Sequence, residues 1–393
     1  MGLLAGVIRV WSMVVWRCRV LIVCASITLV FHNLLLSMDH LDNKKSEEDR
    51  VVNVTIPPSR IGWPQHRRGG EGRSCTPQSD IAFLKTHKCA SSAVQNILFR
   101  YGLSHNLRFA FPHPKINYFG EGRIPFHADM LKATPWSNNI TINIFAIHTK
   151  WNHQQVQQVM PRDTIFFTIV REPVEQFISL FTYYELQKKT RMTLEQFIEK
   201  KEVYGRRWRG YLGFNQMVWD FGIRPHHLNN LTAVSELVQM ADKQFHLVMV
   251  ADRMEESLVL LSHLLCWDLQ HLLVLKLNGC SDSLKLNISD ESRRKLQEKL
   301  SPDYLLYWHF AKKLDQFIED FGRERMAQEV TRLRQLTQEL ITTCQFVKKQ
   351  KEVVVYVPIS SATCQHYAED ELLFIKYLRE RQFMEVYHSG YHQ

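Results

Sequence analysis

Short apolar runs alternate with amphipathic segments along most of this 393-residue chain. An apolar run of about four to eight residues with turn residues around it is typical of a buried strand, whereas apolar positions three and four apart indicate a helix. We predict strands at 81–84, 142–147, 164–170 and 245–251. Because helical segments separate these strands, the pattern predicts an α/β fold with a central, mostly parallel sheet flanked by helices.

The helical pattern is longest from Tyr304 to about Cys344, and Gly322 interrupts it. We therefore predict two helices that separate near this glycine. The second of them, Arg325 to Leu340, is charged on one face, which is typical of a solvated surface helix. The remaining predicted helices are 91–101, 174–188, 194–200, 234–239 and 256–265.

The first 76 residues have a different pattern, because an apolar run at 20–38 follows several arginines and precedes a polar segment with Pro57-Pro58 and Gly69-Gly70. Such a run forms a helix of roughly 28 Å, enough for the core of a bilayer. We predict a cytoplasmic tail at 1–19, a transmembrane signal-anchor at 20–38, a luminal stem at 39–76 and a luminal globular domain at 77–393. A cleaved signal peptide is the alternative, although no clear cleavage site follows the run.

Glycosylation sequons and cysteines agree with a luminal body. The sequons lie at Asn53, Asn139, Asn230 and Asn287. Six cysteines follow the predicted anchor, at positions 75, 89, 266, 280, 344 and 364, and six cysteines allow 15 pairings. Cys89 lies inside a polar turn, so we expect it to be free, and then at most two disulfides form.

The charge balance bears on the class of ligand. A net charge of +9 is moderate for this length. It fits a basic cleft for an anionic ligand better than a surface for nucleic acid, and the chain has neither an RNP motif nor zinc-finger spacing. We therefore expect no nucleic-acid partner.

Cations and hydroxyl groups are concentrated between the first predicted strand and the helix after it. The residues are Lys85, Thr86, His87, Lys88, Ser91 and Ser92. A helix N-terminus attracts anions, and lysines add full charges, so the turn predicts a phosphate-type site. The glycines of a Walker A loop are absent, which disfavours a P-loop kinase. His87 adds a potential base, and this favours group transfer over binding alone.

Two later strands also end in polar residues. Arg171 follows 164–170, and Ser179 lies two turns into the next helix; His148 and Lys150 follow 142–147. Arginine can bind phosphate through two hydrogen bonds. Because ligands bind at the carboxyl ends of strands in open α/β sheets, we expect these residues to line one edge of one sheet.

These motifs resemble those of the galactose 3-O-sulfotransferases. K-x-x-K-x-x-S-S at 85–92 and R-E-P-x5-S at 171–179 are similar to the two donor-binding elements of Golgi sulfotransferases. The stretches F-L-K-T-H-K-x-A-S-S, N-I-L-F-R-Y-G and F-G-R-E-R-M-A extend the similarity from about Asp80 to about Cys344.

The resemblance implies a P-loop-like sulfotransferase fold in the Golgi membrane, with 3′-phosphoadenosine 5′-phosphosulfate (PAPS) as the donor and no required metal. The acceptor would be the 3-hydroxyl of a terminal β-galactose on a glycolipid or a glycan. The resemblance assigns the 5′-phosphosulfate to Lys85, Thr86, Lys88, Ser91 and Ser92, and the 3′-phosphate to Arg171 and Ser179.

The predicted catalytic residues are His87, Lys88 and His148. His87 is the first choice for the base that deprotonates the sugar hydroxyl, His148 is the second, and Lys88 would lie near the bridging oxygen. Lys150 and Asn215 are predicted to contact the acceptor. A luminal relative that binds nucleotide or glycan without turnover is the alternative, since Cys89 and Lys150 stand where the family usually has threonine and arginine. A homodimer is compatible with the sequence, which does not indicate the oligomeric state.

Overall fold

Four parallel strands form a central sheet in the computed structural model, which describes residues 75–113, 116–132, 141–199, 212–275, 288–350, 354–357 and 362–390. The strands are β1 (Ile81–Leu84), β2 (Ile144–Phe145), β3 (Ile165–Val170) and β4 (Leu247–Val250), in the order β2-β1-β3-β4. The parallel α/β sheet predicted from the sequence is therefore confirmed.

The register of the sheet places the carboxyl ends of the strands together. Ile81 in β1 pairs with Ile144 in β2 and with Ile165 in β3, and Phe167 in β3 pairs with Leu247 in β4. β2 covers only part of the predicted 142–147, and Ile144 also forms an isolated parallel bridge with Phe109.

Helices surround this sheet. In chain order they are α1 (Ser91–Ser104), α2 (Asp129–Lys132), α3 (His153–Gln157), α4 (Pro173–Tyr183), α5 (Leu186–Thr190), α6 (Leu194–Glu199), α7 (Gln216–Asp220), α8 (Leu231–Gln244), α9 (Met254–Leu265), α10 (Asp290–Lys299), α11 (Ser301–Phe321), α12 (Arg323–Thr343), α13 (Ala362–Ala368) and α14 (Glu371–Gly390). A separate antiparallel pair consists of β5 (Val347–Gln350) and β6 (Val354–Val357).

Two helix boundaries show how the backbone divides these segments. Gly322 has φ of +95°, a conformation that side chains disfavour, and it separates α11 from α12 as predicted. The single helix predicted for 174–188 was wrong. Glu185 has φ of +50° and separates α4 from α5, because a left-handed residue cannot continue an α-helix.

The core forms where helices cover both faces of the sheet. Each residue of β1 and β4 is buried, as expected for parallel strands with helices on both sides. The C-terminal helix α14 packs on α1, and its residues Phe374, Ile375 and Leu378 belong to the main core. The last described helix is thus an integral part of the domain.

Among the described residues, the number of disulfides agrees with the predicted maximum of two. Cys75 bonds to Cys266, and Cys344 bonds to Cys364, while Cys89 is free and buried. Cys280 lies outside the described residues.

Several predictions fall on residues outside the described ranges. These are the tail at 1–19, the signal-anchor at 20–38, nearly all of the stem at 39–76, and the sequons at Asn53, Asn139 and Asn287. Asn230 is described: it is exposed, and its side chain caps α8. In the part of the chain that the structure describes, no helix has the length and apolar character needed to cross a membrane.

Candidate active site

The turn between β1 and α1 places a buried lysine at the centre of a cluster of polar side chains. Lys85 is 1% exposed. Its ammonium donates to Ser92 Oγ at 3.2 Å and to His148 Nε2 at 2.8 Å. It also donates to both carboxylate oxygens of Glu371 at 2.9 Å. Burial lowers the pKa of Lys85, and the negative charge of Glu371 opposes that shift.

Hydrogen bonds to its carbonyl groups hold this turn in place. The carbonyls of Thr86, His87 and Lys88 accept from Ser91 Oγ at 2.5 Å, Gln176 Nε2 at 2.8 Å and Arg171 Nη1 at 3.1 Å, respectively. Thr86 Oγ1 donates to the Ile169 carbonyl of β3 at 2.6 Å. The hydroxyls of Thr86 and Ser91 thus fasten the turn, and their predicted contact with a donor stays a prediction.

The helix that follows the turn begins without a side-chain cap. Its N-cap residue is Ala90, which has φ of +58° and makes no side-chain capping hydrogen bond. An anion can therefore satisfy the first amide groups of α1. We call the group formed by Lys85, Ser92 and the first turn of α1 the anion cradle.

The two predicted bases stack on each other but differ in their hydrogen bonds. The ring centroids of His87 and His148 are 4.3 Å apart. His148 Nδ1 lies 2.8 Å from the Lys85 carbonyl, so it must donate, and its Nε2 then accepts from the Lys85 ammonium. Burial, and next the positive charge of Lys85, lower the pKa of His148 well below its ordinary value. His148 is thus a neutral ring with both nitrogens engaged.

His87 is paired with a buried carboxylate. Its Nδ1 lies 2.9 and 3.0 Å from the two oxygens of Asp220, which is 1% exposed. The backbone amide of His87 donates to the same carboxylate at 2.7 Å, and Gln216 Nε2 donates to it at 2.9 Å. Because a carboxylate only accepts, Nδ1 carries a proton, and in the neutral ring the lone pair lies on Nε2.

Arg171, Ser179 and Lys88 lie on the β3–α4 side of the site. Arg171 follows β3 and is half-buried, and its bond to the Lys88 carbonyl joins the turn after β3 to the turn after β1. Ser179 is half-buried on α4. Lys88 is half-buried, and its ammonium lies 3.6 Å from the centre of the Tyr183 ring. Pro173 opens α4 as predicted, and the Glu172 side chain caps this helix.

The two predicted acceptor residues have different surroundings. Lys150 is 4% exposed, and its ammonium lies 3.7 Å from the centre of the Trp219 ring. Burial lowers its pKa to about 8, and the charge of Asp220 opposes the shift. Asn215 is 1% exposed, and its side chain bonds to the Lys299 carbonyl and the Asp303 amide. Since Asn215 joins α7 to α11, its contact with an acceptor stays a prediction.

Cys89 is buried in the core, although it belongs to the polar turn. It is 0% exposed, its thiol contacts the His87 carbonyl, and burial raises its pKa. The core environment gives a physical reason to expect little effect of this cysteine on donor affinity.

Sequence reasoning missed both carboxylates of the site. Asp220 ends α7 and Glu371 begins α14, so they lie 133 and 286 residues from His87 and Lys85, respectively. No local motif marks either position. A buried lysine and a buried base each need an acidic partner, so the sequence could have indicated that two carboxylates belong to the site. Only the tertiary fold shows that they are Asp220 and Glu371.

The fold and the site define a class: an α/β protein that has an anion cradle beside a histidine–carboxylate pair at the carboxyl edge of a parallel sheet. Such an arrangement can hold an anionic group and remove a proton near it. No group of three or more side chains in the described ranges is placed to hold a metal ion.

Comparison with known proteins identifies the family. Residues 1–367 match the family model described as galactose-3-O-sulfotransferase. The chain is 33% identical to mouse galactosylceramide sulfotransferase over 287 residues, which cover 70% of this chain and 66% of the relative. It is 34% identical to human galactose-3-O-sulfotransferase 2 over 283 residues, or 70% of each protein. It is 30% identical to mouse galactose-3-O-sulfotransferase 3 over 331 residues, or 82% of this chain and 72% of the relative.

The chain therefore belongs to the galactose-3-O-sulfotransferase family, and the resemblance seen in its motifs is confirmed. It spans 66% of the length of the mouse galactosylceramide enzyme. The family match ends at residue 367, before α14 begins at Glu371.

Proposed function

We propose that this protein is a sulfotransferase that moves a sulfuryl group from PAPS to the 3-hydroxyl of a terminal β-galactose on a glycolipid or a glycan. One observation carries this proposal: the anion cradle and a histidine polarised by Asp220 lie in the same β1–α1 turn. Family membership supports the same reaction, since the relatives are named for sulfation of galactose or galactosylceramide.

The residues present fit the donor. It carries phosphate groups at two positions, and the site has cationic groups in two neighbouring turns, Lys85 and Lys88 after β1 and Arg171 after β3. The carboxylate of Glu371 already lies on Lys85 and Ser92, which indicates that these groups accept an anion. We assign the 5′-phosphosulfate to the anion cradle and Lys88, and the 3′-phosphate to Arg171 and Ser179.

The donor supplies an activated sulfuryl group, and the protein supplies a base and positive charge. His87 Nε2 takes the proton of the sugar 3-hydroxyl, while Asp220 holds the Nδ1 proton and stabilises the imidazolium that forms. Lys85 and Lys88 would compensate the negative charge that develops on the leaving oxygen. His148 orients Lys85, because its Nε2 accepts from that ammonium.

A transfer assay tests the proposal. The full chain is incubated with [35S]PAPS and galactosylceramide or N-acetyllactosamine, and matched acceptors carry a 3-O-methyl group on galactose. We expect label only on acceptors with a free 3-hydroxyl. Donor binding without transfer to any β-galactoside would overturn the proposal and favour a binding protein without turnover.

We also propose a single-pass type II topology in the Golgi membrane, with the catalytic domain in the lumen. Two observations support it: disulfides form in an oxidising compartment, and the Asn230 sequon is exposed. Protease protection of the domain in intact microsomes, together with loss of an endoglycosidase-sensitive form in Asn230→Gln, would test this topology. Digestion of the domain in sealed vesicles would contradict it.

A further inference from the structure

A carboxylate from the C-terminal helix lies on the anion cradle. Glu371 receives two hydrogen bonds from Lys85 at 2.9 Å and one from Ser92 Oγ at 2.7 Å. Burial alone would raise the pKa of Glu371, but the charge and hydrogen bonds of Lys85 and the bond from Ser92 outweigh it and lower the pKa. The side chain is therefore an anion bound by the same groups that we assign to the donor.

The backbone that delivers Glu371 is well anchored. The amides of Leu372 and Leu373 donate to Asp370 Oδ1 at 2.9 and 3.2 Å, which caps the first turn of α14. Phe374 and Ile375, in the same turn and the next, are each 1% exposed in the main core. The carboxylate thus reaches the cradle from a fixed helix.

The two side chains of the Lys85–Glu371 ion pair differ in their exposure to solvent. The side chain of Lys85 is 1% exposed, whereas that of Glu371 is 24% exposed. Lys85 cannot follow the carboxylate into solvent, but Glu371 lies at the edge of the site. A change of its side-chain rotamer can release Lys85 without unfolding α14.

Glu371 and a phosphosulfate cannot share Lys85 and Ser92. Both are anionic, and two like charges within a few ångströms in a buried site repel each other strongly. The ammonium has three N–H groups, and its present partners are Ser92, His148 and Glu371. A donor anion must take the place of one partner, and Glu371 is the one that carries negative charge.

We propose that Glu371 is an autoinhibitory latch, a carboxylate that occupies the 5′-phosphosulfate position and must leave before the donor binds. This inference rests on the proposed function, because it uses the same cradle for the donor. A latch lowers the apparent affinity for the donor by the fraction of molecules in which the cradle is free.

Binding of adenosine 3′,5′-bisphosphate to the full chain tests the latch by isothermal titration calorimetry. Glu371→Gln keeps the size of the side chain and removes its charge. If Glu371 occupies the cradle in about nine-tenths of the wild-type molecules, its release should lower the Kd about tenfold. Glu380→Gln is the matched control, since Glu380 is an exposed carboxylate on the same helix. We expect its Kd to equal that of the wild type.

A second readout uses thermal unfolding. The bisphosphate should raise the Tm of Glu371→Gln by more than it raises the Tm of the wild type, because the ligand no longer displaces an ion pair. If Glu371→Gln does not fold, Glu371→Ala offers the same comparison.

The outcomes separate the latch from the proposed function. Bisphosphate binding with an equal or higher Kd in Glu371→Gln would overturn the latch and leave the donor site intact, with Glu371 then positioning Lys85. No bisphosphate binding to either protein would overturn the donor site and the latch together.

Discussion

The turns after β1 and β3 both carry the cations predicted for the donor, yet their side chains are paired in different ways. In the β1 turn, Lys85 and His87 bond to carboxylates from distant parts of the chain. In the β3 turn, Arg171 bonds to a main-chain carbonyl, and Glu172 caps its own helix. The β1 turn is thus suited to chemistry, whereas the β3 turn is suited to anchoring a ligand.

The difference has a physical cause. Buried charges need partners of opposite sign, and a strand end in the core has few candidates nearby in sequence. Lys85 is 1% exposed and obtains its partner from α14, whereas Arg171 is half-buried and remains partly in contact with water. Burial therefore couples the β1 side of the site to the tertiary fold.

The largest expected effect comes from His87, the predicted base, and His148 provides the comparison. Loss of a general base costs about 10²–10⁴-fold in rate, so we expect His87→Ala to lower kcat of the proposed transfer by that factor. His148→Ala removes an acceptor from Lys85 and should lower kcat by about tenfold. Rates at saturating donor and acceptor provide the measurement.

Two results would change the assignment of the base. A wild-type kcat in His87→Ala would assign the base to His148. Equal losses of kcat in both variants would contradict the different roles proposed for the two rings. Bisphosphate binding by each variant serves as the control for an intact donor site.

Replacement of the carboxylate behind the base should have the next largest effect. Asp220→Asn no longer compensates the imidazolium, and we expect kcat to fall about 10²-fold while the KM for the donor changes little.

Asp220 also accepts a hydrogen bond from the backbone amide of His87, so its replacement can destabilise the fold. Stability and activity must therefore be measured separately. A loss of Tm together with an unchanged kcat in Asp220→Asn would contradict a role in orienting the base. Asp220→Glu keeps the charge and should recover part of the activity.

The β3 turn should respond in binding and not in the chemical step. Arg171→Ala removes a charge-assisted hydrogen bond worth about 1.5–3 kcal/mol, so the Kd for adenosine 3′,5′-bisphosphate should rise about ten- to hundredfold. Arg162→Ala, at an exposed arginine, is the matched control. If Arg171→Ala lowered kcat at saturating donor without a change in Kd, the β3 turn would act in the chemical step and not in donor binding.

The smallest effect is on stability and depends on pH. Burial, and next the charge of Lys85, lower the pKa of His148. Below about pH 6.5 the unfolded imidazole binds a proton that the folded one does not, so the free energy of unfolding falls as the pH falls, by up to about 1.4 kcal/mol per pH unit. Urea unfolding at pH 7, 6 and 5 should show a shallower dependence for His148→Asn than for the wild type. An equal slope would show that His148 is protonated in the fold.

Sequence patterns predicted the sheet well because they reflect local burial. The strand predicted at Ile81–Leu84 has the same bounds in the structure, and the helix break at Gly322 was predicted correctly. The break at Glu185 was not, because nothing in the sequence around it disfavours a continuous helix. The cations of the site were predicted from the same patterns, since cations at the carboxyl ends of parallel strands must meet at one edge of the sheet.

The sequence by itself determined the strand–turn–helix units, the cations and histidines at their ends, and the family to which the chain belongs. Only the tertiary structure decided how those groups are paired: Asp220 with His87, Glu371 with Lys85, and Lys85 with His148. The reason is physical. Local patterns record burial and backbone conformation, whereas the partner of a buried charge can come from any part of the chain that the fold brings within hydrogen-bonding distance.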